Sequence, residues 1–324
     1  MRTVLILIVI AALGFAGWTW YQNRGTTPAP AVPPPVAAPI APTPAPIAAV
    51  PAAVKADYDQ AEALWKQIEA TGQNPAAGAK APFLGKLYGK VLRGIYNQPG
   101  LKTLEDSLVA DRLSKIGNEV FFSKNAFTGD DTGFVAIHKV APGESPAAIA
   151  RKYGMSMELI NRLRGRDPNA SQLNVGDVVK VLKIKEHGGF LIHVDKGDYT
   201  FDLFAGGIFM RRYEISHGAP ETPTPVGTTH LVARERNPTW THPVTHEVFG
   251  PDDPRNILGK VWMKFDKTEI GQDGLGIHGY TGPDAKWKAQ VSNGCIRMKP
   301  DDAVEVYQST ASPSLAPTTV EIVE

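Results

Sequence analysis

Ten prolines and no charged residue fall between Gly25 and Ala53, and this tract limits what the rest of the chain can be. Proline lacks an amide hydrogen and fixes φ, so such a stretch cannot be a helix interior or a central strand. The other residues are mostly Ala, Val, Thr and Ile, which makes residues 25–53 an extended, semi-rigid spacer. Ahead of it, Val4 to Tyr21 is apolar or aromatic except at Gly14, Gly17 and Thr19, with Arg2 before it and Arg24 after. Those eighteen residues just suffice to cross a hydrocarbon layer. Trp18, Trp20 and Tyr21 cluster at the far end, where an interfacial aromatic belt belongs. A cleaved signal peptide is the alternative, but the run ends in Trp-Thr-Trp-Tyr-Gln-Asn-Arg, without small residues at the cleavage positions. The expectation is an uncleaved single-pass anchor over residues 1–24, with the rest of the chain extracytoplasmic.

Everything that folds independently then lies beyond Ala53, a length that suits two or three domains. Lys and Arg number 34 against 33 Asp and Glu, a net charge of +1 that gives no footprint for nucleic acid. Residues 54–124 read as helical. Tyr58, Ala61, Leu64, Trp65 and Ile68 recur at three and four, and Gly72 to Pro82 interrupts the pattern. Leu84, Leu87, Tyr88, Val91, Leu92 and Ile95 form a second stripe, ended by Pro99-Gly100. Leu101, Leu104, Leu108, Leu113 and Ile116 form a third. Three helices of this kind make a spacer or packing domain and leave room for a protein partner.

Residues 134–183 read strand, helix, helix, strand. The pieces are His138-Lys139-Val140-Ala141-Pro142-Gly143-Glu144-Ser145, then Ile149 to Ser156, Ile160-Asn161-Arg162-Leu163, and Leu173-Asn174-Val175-Gly176-Asp177. In that order and spacing they resemble a LysM module, a small βααβ unit that binds N-acetylglucosamine-containing glycans such as peptidoglycan. Pro146 stands where that family usually has Leu, and Arg162 to Gly165 differs from its usual Asn-rich loop. The resemblance assigns glycan contacts to Gly143, Ser145, Ile160 and Asn161.

From Gly189 the pattern changes to alternation. Leu191, His193 and Asp195 oppose Ile192, Val194 and Lys196, and Gly197-Asp198 and Ala205-Gly206-Gly207 supply turns. Further strands are expected at Ile208 to Ile215, Thr229 to Ala233, Trp262 to Phe265, Gly276 to His278, Ala289 to Val291 and Val320 to Val323, with a helix over Asp301 to Tyr307. Residues 189–324 thus form one closed, mainly β domain.

Cys295 is the chain's only cysteine, so it has no disulfide partner within the chain. It follows Ser292-Asn293-Gly294 and lies 17 residues after His278 in Gly276-Ile277-His278-Gly279. A buried, inert thiol is one reading. The other is a nucleophile with an imidazole base, since the thiolate is the reactive form. A gap of this size suits two neighbouring strands joined by a loop.

These strings resemble the YkuD-type L,D-transpeptidase catalytic family, as do Ile215 to Gly218, Thr224 to Gly227, Asn237 to Trp240, Pro254 to Gly259 and Trp262. The resemblance implies a YkuD-like β-sandwich and a cysteine-dependent acyl transfer on peptidoglycan stem peptides, with no cofactor. It implies Cys295 as nucleophile, His278 as base, and the Gly279 carbonyl as the group orienting the imidazole. Gly294 and Cys295 amides would form an oxyanion hole, Arg297 would lie near the pocket, and Ser292 would order the loop. Asn293 stands where most members have a second His, and Tyr280 where Thr is frequent. L,D-carboxypeptidase trimming and a noncatalytic wall-binding scaffold are the alternatives. His217, His230, His242 and His246 read as loop residues lining a groove. Pro243 between the last pair, the absence of an HExxH frame and the single cysteine argue against a metal.

Overall fold

The computed structural model describes residues 49–125, 129–282 and 285–324. The Val4 to Tyr21 segment and most of the proline tract lie outside the described residues. Among the described residues no helix is long and apolar enough to cross a membrane.

The first part is a helical layer. Helix α1 (Ala52–Glu69) starts after Pro51 and buries Val54, Ala61 and Trp65. Helix α2 (Ala81–Ile95) buries the whole expected stripe from Leu84 to Ile95. The third helix is longer than its apolar stripe suggests. It begins as α3 (Lys102–Leu108) and runs on through a π-helical turn (Val109–Leu113), a helical turn, α4 (Ser114–Gly117), and a second π turn (Asn118–Phe122). Each π turn carries one extra residue, so the buried face is reset twice and the 3.6-residue stripe does not continue into Val120 and Phe121.

The βααβ segment follows as β1 (Val135–Lys139), α5 (Pro146–Tyr153), α6 (Met157–Leu163) and β2 (Val178–Leu182), the two strands being antiparallel. Ser145 and Ser156 cap the two helices, accepting from Ala148 N–H and Leu159 N–H, and Pro146 fits the first helical turn, where no amide donor is needed.

The C-terminal part is a nine-stranded sheet in the order β11-β5-β12-β10-β9-β6-β13-β3-β4. Its strands are β3 (Phe190–Asp195), β4 (Thr200–Ala205), β5 (Ile208–Gly218), β6 (Gly227–Arg236), β9 (Val261–Phe265), β10 (Gly276–Gly279), β11 (Gln290–Ser292), β12 (Ile296–Met298) and β13 (Thr318–Val323). A small hairpin, β7 (Trp240–Thr241) with β8 (Val248–Phe249), stands apart from it. Strand β5 closes the sheet on itself. Its first part pairs with β4, and Ile215 to Gly218 pairs with β12 and β11. Between β9 and β10 runs the short helix α7 (Lys267–Ile270), and α8 (Pro300–Ser309) packs on β10.

Alternation along β3 leads one to expect a solvent face, yet His193 and Asp195 are buried. The helical layer covers His193, and Asp195 accepts from Asp198 N–H in the turn after β3. Tyr96, just past α2, stacks on His193 with ring centroids 3.8 Å apart, and its hydroxyl donates to Asp202. Arg212 of β5 bridges Asp202 and Glu105 of α3, so a buried charge cluster is satisfied across the junction. The helical segment is therefore a packing layer. The βααβ segment is seated as well. Arg162 donates to Gln308 and Ser309 at the end of α8, and Ser156 donates to the Gln308 carbonyl.

Candidate active site

Parallel neighbours β10 and β12 build the site. Their register pairs Ile277 with Ile296 and His278 with Arg297, so Cys295 sits at the mouth of β12, one residue before that pairing starts. Strand β9 flanks β10 on the other side and places Trp262 opposite His278.

His278 is 2% exposed. Its Nδ1 lies 3.0 Å from the Gly279 carbonyl oxygen. A carbonyl only accepts, so Nδ1 carries the hydrogen and Nε2 keeps its lone pair. Gly279 is packed closely: a Cβ there would stand 3.0 Å from Pro300 Cα at the start of α8. Aromatic rings flank the imidazole, Trp262 at 5.8 Å and Tyr280 at 6.5 Å between centroids. Burial pushes the imidazole down to about 4; the Gly279 carbonyl opposes this, and the Arg297 charge adds to it.

Cys295 keeps some exposed surface, and its Sγ donates to the Gly274 carbonyl at 3.6 Å. Burial raises the thiol to about 11, opposed by a hydrogen bond from Gly276 and by Arg297. The resting pair at neutral pH is therefore a neutral thiol and a neutral imidazole.

The loop before Cys295 is tied down on both sides. Ser292 Oγ donates to the Cys295 carbonyl at 2.6 Å and accepts from Gly294 N–H at 3.1 Å. Ser292 thus orders the loop. The Gly294 amide is engaged by that hydroxyl in this structure. Gly294 itself has φ +101°, and a Cβ there would stand 2.9 Å from Leu275 Cδ2. Thr224, buried between β5 and β6, has a role that the sequence pattern does not assign. Its Oγ1 donates to the Gly294 carbonyl at 2.8 Å and accepts from Gly218 N–H at 2.9 Å. Asn293 points to solvent. Arg297 lies over the Tyr280 ring at 3.9 Å, and its Nε has no hydrogen-bond partner among the described residues.

Other expected site residues are placed differently. Gly143 turns with φ +81°, and Ser145 is spent as a helix cap. Ile160 and Asn161 are fully buried. Asn161 donates to the Pro168 and Ala170 carbonyls and accepts from Arg164, so it holds its own loop and cannot touch a sugar. His217 is not a loop residue: it is buried in β5, bonded to the Lys196 carbonyl and stacked on Tyr199. His230 lies in β6 and pairs with Glu269, while His242 caps the turn of the small hairpin and His246 takes φ +57° there. Among the described residues no three His, Cys, Asp or Glu side chains converge on a metal position.

Residues 189–322 match the family model of the L,D-transpeptidase catalytic domain, YkuD. The putative L,D-transpeptidase YkuD of Bacillus subtilis (strain 168) is 33% identical over 171 residues, which is 52% of this chain and 90% of that protein. The chain belongs to the YkuD L,D-transpeptidase family. A second Bacillus subtilis relative, the putative L,D-transpeptidase YqjB, is 35% identical over 99 residues, covering 30% of this chain and 52% of that protein. Among solved structures, an L,D-transpeptidase from Mycobacterium tuberculosis matches with a TM-score of 0.33 at 18% identity, over 47% of this chain and 75% of that one. The LD transpeptidase LdtMt1 in complex with imipenem matches with a TM-score of 0.32 at 19% identity, and the chain spans only 59% of its length.

Proposed function

We propose that this family member is a cysteine-dependent L,D-transpeptidase that forms 3→3 crosslinks between peptidoglycan stem peptides. One observation carries the reading: His278, with Nδ1 held by the Gly279 carbonyl and Nε2 left basic, lies on the strand beside the one that Cys295 opens. Cys295 Sγ attacks the carbonyl of the third residue of a tetrapeptide stem as Nε2 takes the thiol proton. The tetrahedral intermediate collapses, the imidazolium returns that proton to the departing amine, and the terminal D-alanine leaves behind a thioester. The amine of a second stem then attacks the thioester, gives its proton to His278, and releases the thiol with a new peptide bond.

The βααβ segment, read as a LysM module, holds glycan strands and raises the local concentration of stems at the site. Residues 1–24 anchor the chain in the cell membrane, and the proline tract holds the catalytic domain away from it on the extracytoplasmic side. Arg297, stacked on Tyr280 with a spare donor edge, faces an acidic group of the stem.

The test is incubation with purified tetrapeptide muropeptides and mass analysis of the products. Crosslinked dimers that vanish in Cys295→Ser support the reading. Tripeptides without dimers make the protein an L,D-carboxypeptidase, and unchanged substrate from folded protein leaves the scaffold reading. Carbonate extraction of membranes tests the anchor, and release of the intact chain refutes it.

A further inference from the structure

Pairing of Ile137 with Lys180 and of Lys139 with Val178 puts these four side chains on one face of the β1–β2 ladder. Ile137 and Val178 are exposed, whereas Lys180 is only 4% exposed. The end of the helical layer lies over it, and its ammonium donates to the Glu119 and Ser123 carbonyls at 2.8 and 3.2 Å. Beside it opens a cleft of about 330 Å³. Lys124, just past the second π turn, lines it together with Arg164 and Arg166 beyond α6, and Ile137 and Val178 supply an apolar wall. Four cations thus reach one cleft from three segments of the chain. Arg164 is held by uncharged groups, the Asn161 side chain and the Gln172 carbonyl. Lys124, Arg164 and Arg166 form no salt bridge among the described residues. Two carboxylates stand nearby: Asp177 accepts from Asn174 N–H, and Glu119 accepts from the Asn125 side chain. They do not offset the enclosure. Burial pushes the Lys180 ammonium down to about 7 against the pull of Glu119, and it lowers Arg164 against that of Asp177.

Enclosing cations without matching anions is costly, and such groups in proteins are ordinarily paired. A carboxylate brings two oxygens and one charge, which a single guanidinium fork satisfies. A phosphate spreads its charge over oxygens that point in several directions, so it suits guanidiniums and point-charge ammoniums arriving from different sides. We infer that this cleft binds a phosphate group, free in solution or carried by a lipid headgroup. Ile137 and Val178, exposed at its wall, give the carbon part of such a headgroup an apolar rest. The cleft shares no residue with the Cys295–His278 pair, and the inference stands apart from the acyl-transfer reading.

The experiment measures calorimetric binding of the full chain, held in a detergent with an uncharged headgroup, to three soluble probes. These are inorganic phosphate, glycerophosphoglycerol (an anionic phospholipid headgroup without its acyl chains) and acetate. The parent should bind phosphate about tenfold more tightly than acetate. Lys124→Gln combined with Arg166→Gln should remove that preference; both side chains are exposed, so the double variant should fold as the parent does. Lys180→Met, checked by its melting curve, should weaken phosphate binding in the same direction. Tighter binding of glycerophosphoglycerol than of inorganic phosphate supports a lipid source, and the reverse order supports free phosphate. The inference is overturned if the parent binds neither phosphate probe, or if acetate binds as well as phosphate. It is overturned equally if the double variant and Lys180→Met both keep the parent's affinity for phosphate.

Discussion

Thr224→Val isolates what holds the nucleophile loop in place. The replacement keeps the shape and leaves no cavity, so it removes only a hydroxyl. That hydroxyl accepts from Gly218 N–H and donates to the Gly294 carbonyl, both on buried residues. Leaving a buried backbone group unpaired costs about 1–3 kcal/mol, so two such groups bound the loss at about 2–6 kcal/mol. Partial relaxation of the loop should bring it to about 2–4 kcal/mol, and that relaxation moves Gly294 and with it Cys295. Turnover should then fall by roughly tenfold or more, since small displacements of a reacting atom are expensive. Thr222→Val is the control. Thr222 is exposed, and its hydroxyl donates to the Ser292 carbonyl, which also accepts from Ala219 N–H. Its loss should cost under about 1 kcal/mol because water replaces it. Urea unfolding with the slope checked for constancy, and product formation from tetrapeptide muropeptides, give the two readouts. A Thr224→Val protein with the parent's midpoint and turnover, or one no worse than Thr222→Val, refutes the argument.

Two further outcomes follow from the charge environment of the pair. His278 is neutral in the fold down to about pH 4, whereas an unfolded histidine takes its proton near 6.5, so the unfolded state binds more protons between those values. Stability should fall as pH drops through that window, by roughly 3 kcal/mol if the whole shift is expressed, and a pH series of denaturation midpoints should show less of that slope in His278→Gln. Arg297 pushes both His278 and Cys295 toward their deprotonated forms. Arg297→Met should therefore move the acid limb of the activity profile to higher pH and slow thiol alkylation at a fixed alkaline pH; unchanged limbs would remove Arg297 from the electrostatics of the site.

The Gly-Ile-His-Gly and Ser-Asn-Gly-Cys strings were legible as short local patterns, and the structure puts the first on β10 and the second at the entry to its parallel neighbour β12. Strand β12, only Ile296 to Met298, was not expected, since three residues carry no periodicity to detect. Thr224 opens one of the strings that carry the resemblance, but its role is not legible there because it depends on a contact with Gly294, 70 residues away. Ile160 and Asn161 were read as glycan contacts, yet both face inward. An Asn at a helix end can serve a ligand or its own loop, and only the positions of the Pro168 and Ala170 carbonyls decide which. His193 and Asp195 show the same gap on a larger scale. Alternation identifies the two faces of β3, but which face stays wet depends on where a helical layer more than 90 residues upstream comes to rest.

Strand β13 is the last strand in sequence, but it lies inside the sheet, parallel to β3 and antiparallel to β6. A chain emerging amino end first, from a ribosome or across a membrane, therefore makes Cys295 before it makes the strand that joins the two halves of the sheet around it. Until residues 318–323 arrive, β3 and β6 have no ladder between them, and the thiol has no finished pocket. The same arrangement makes residues 318–323 a poor place for a cut. Losing them takes out a central strand, with every backbone pairing it supplies on both sides.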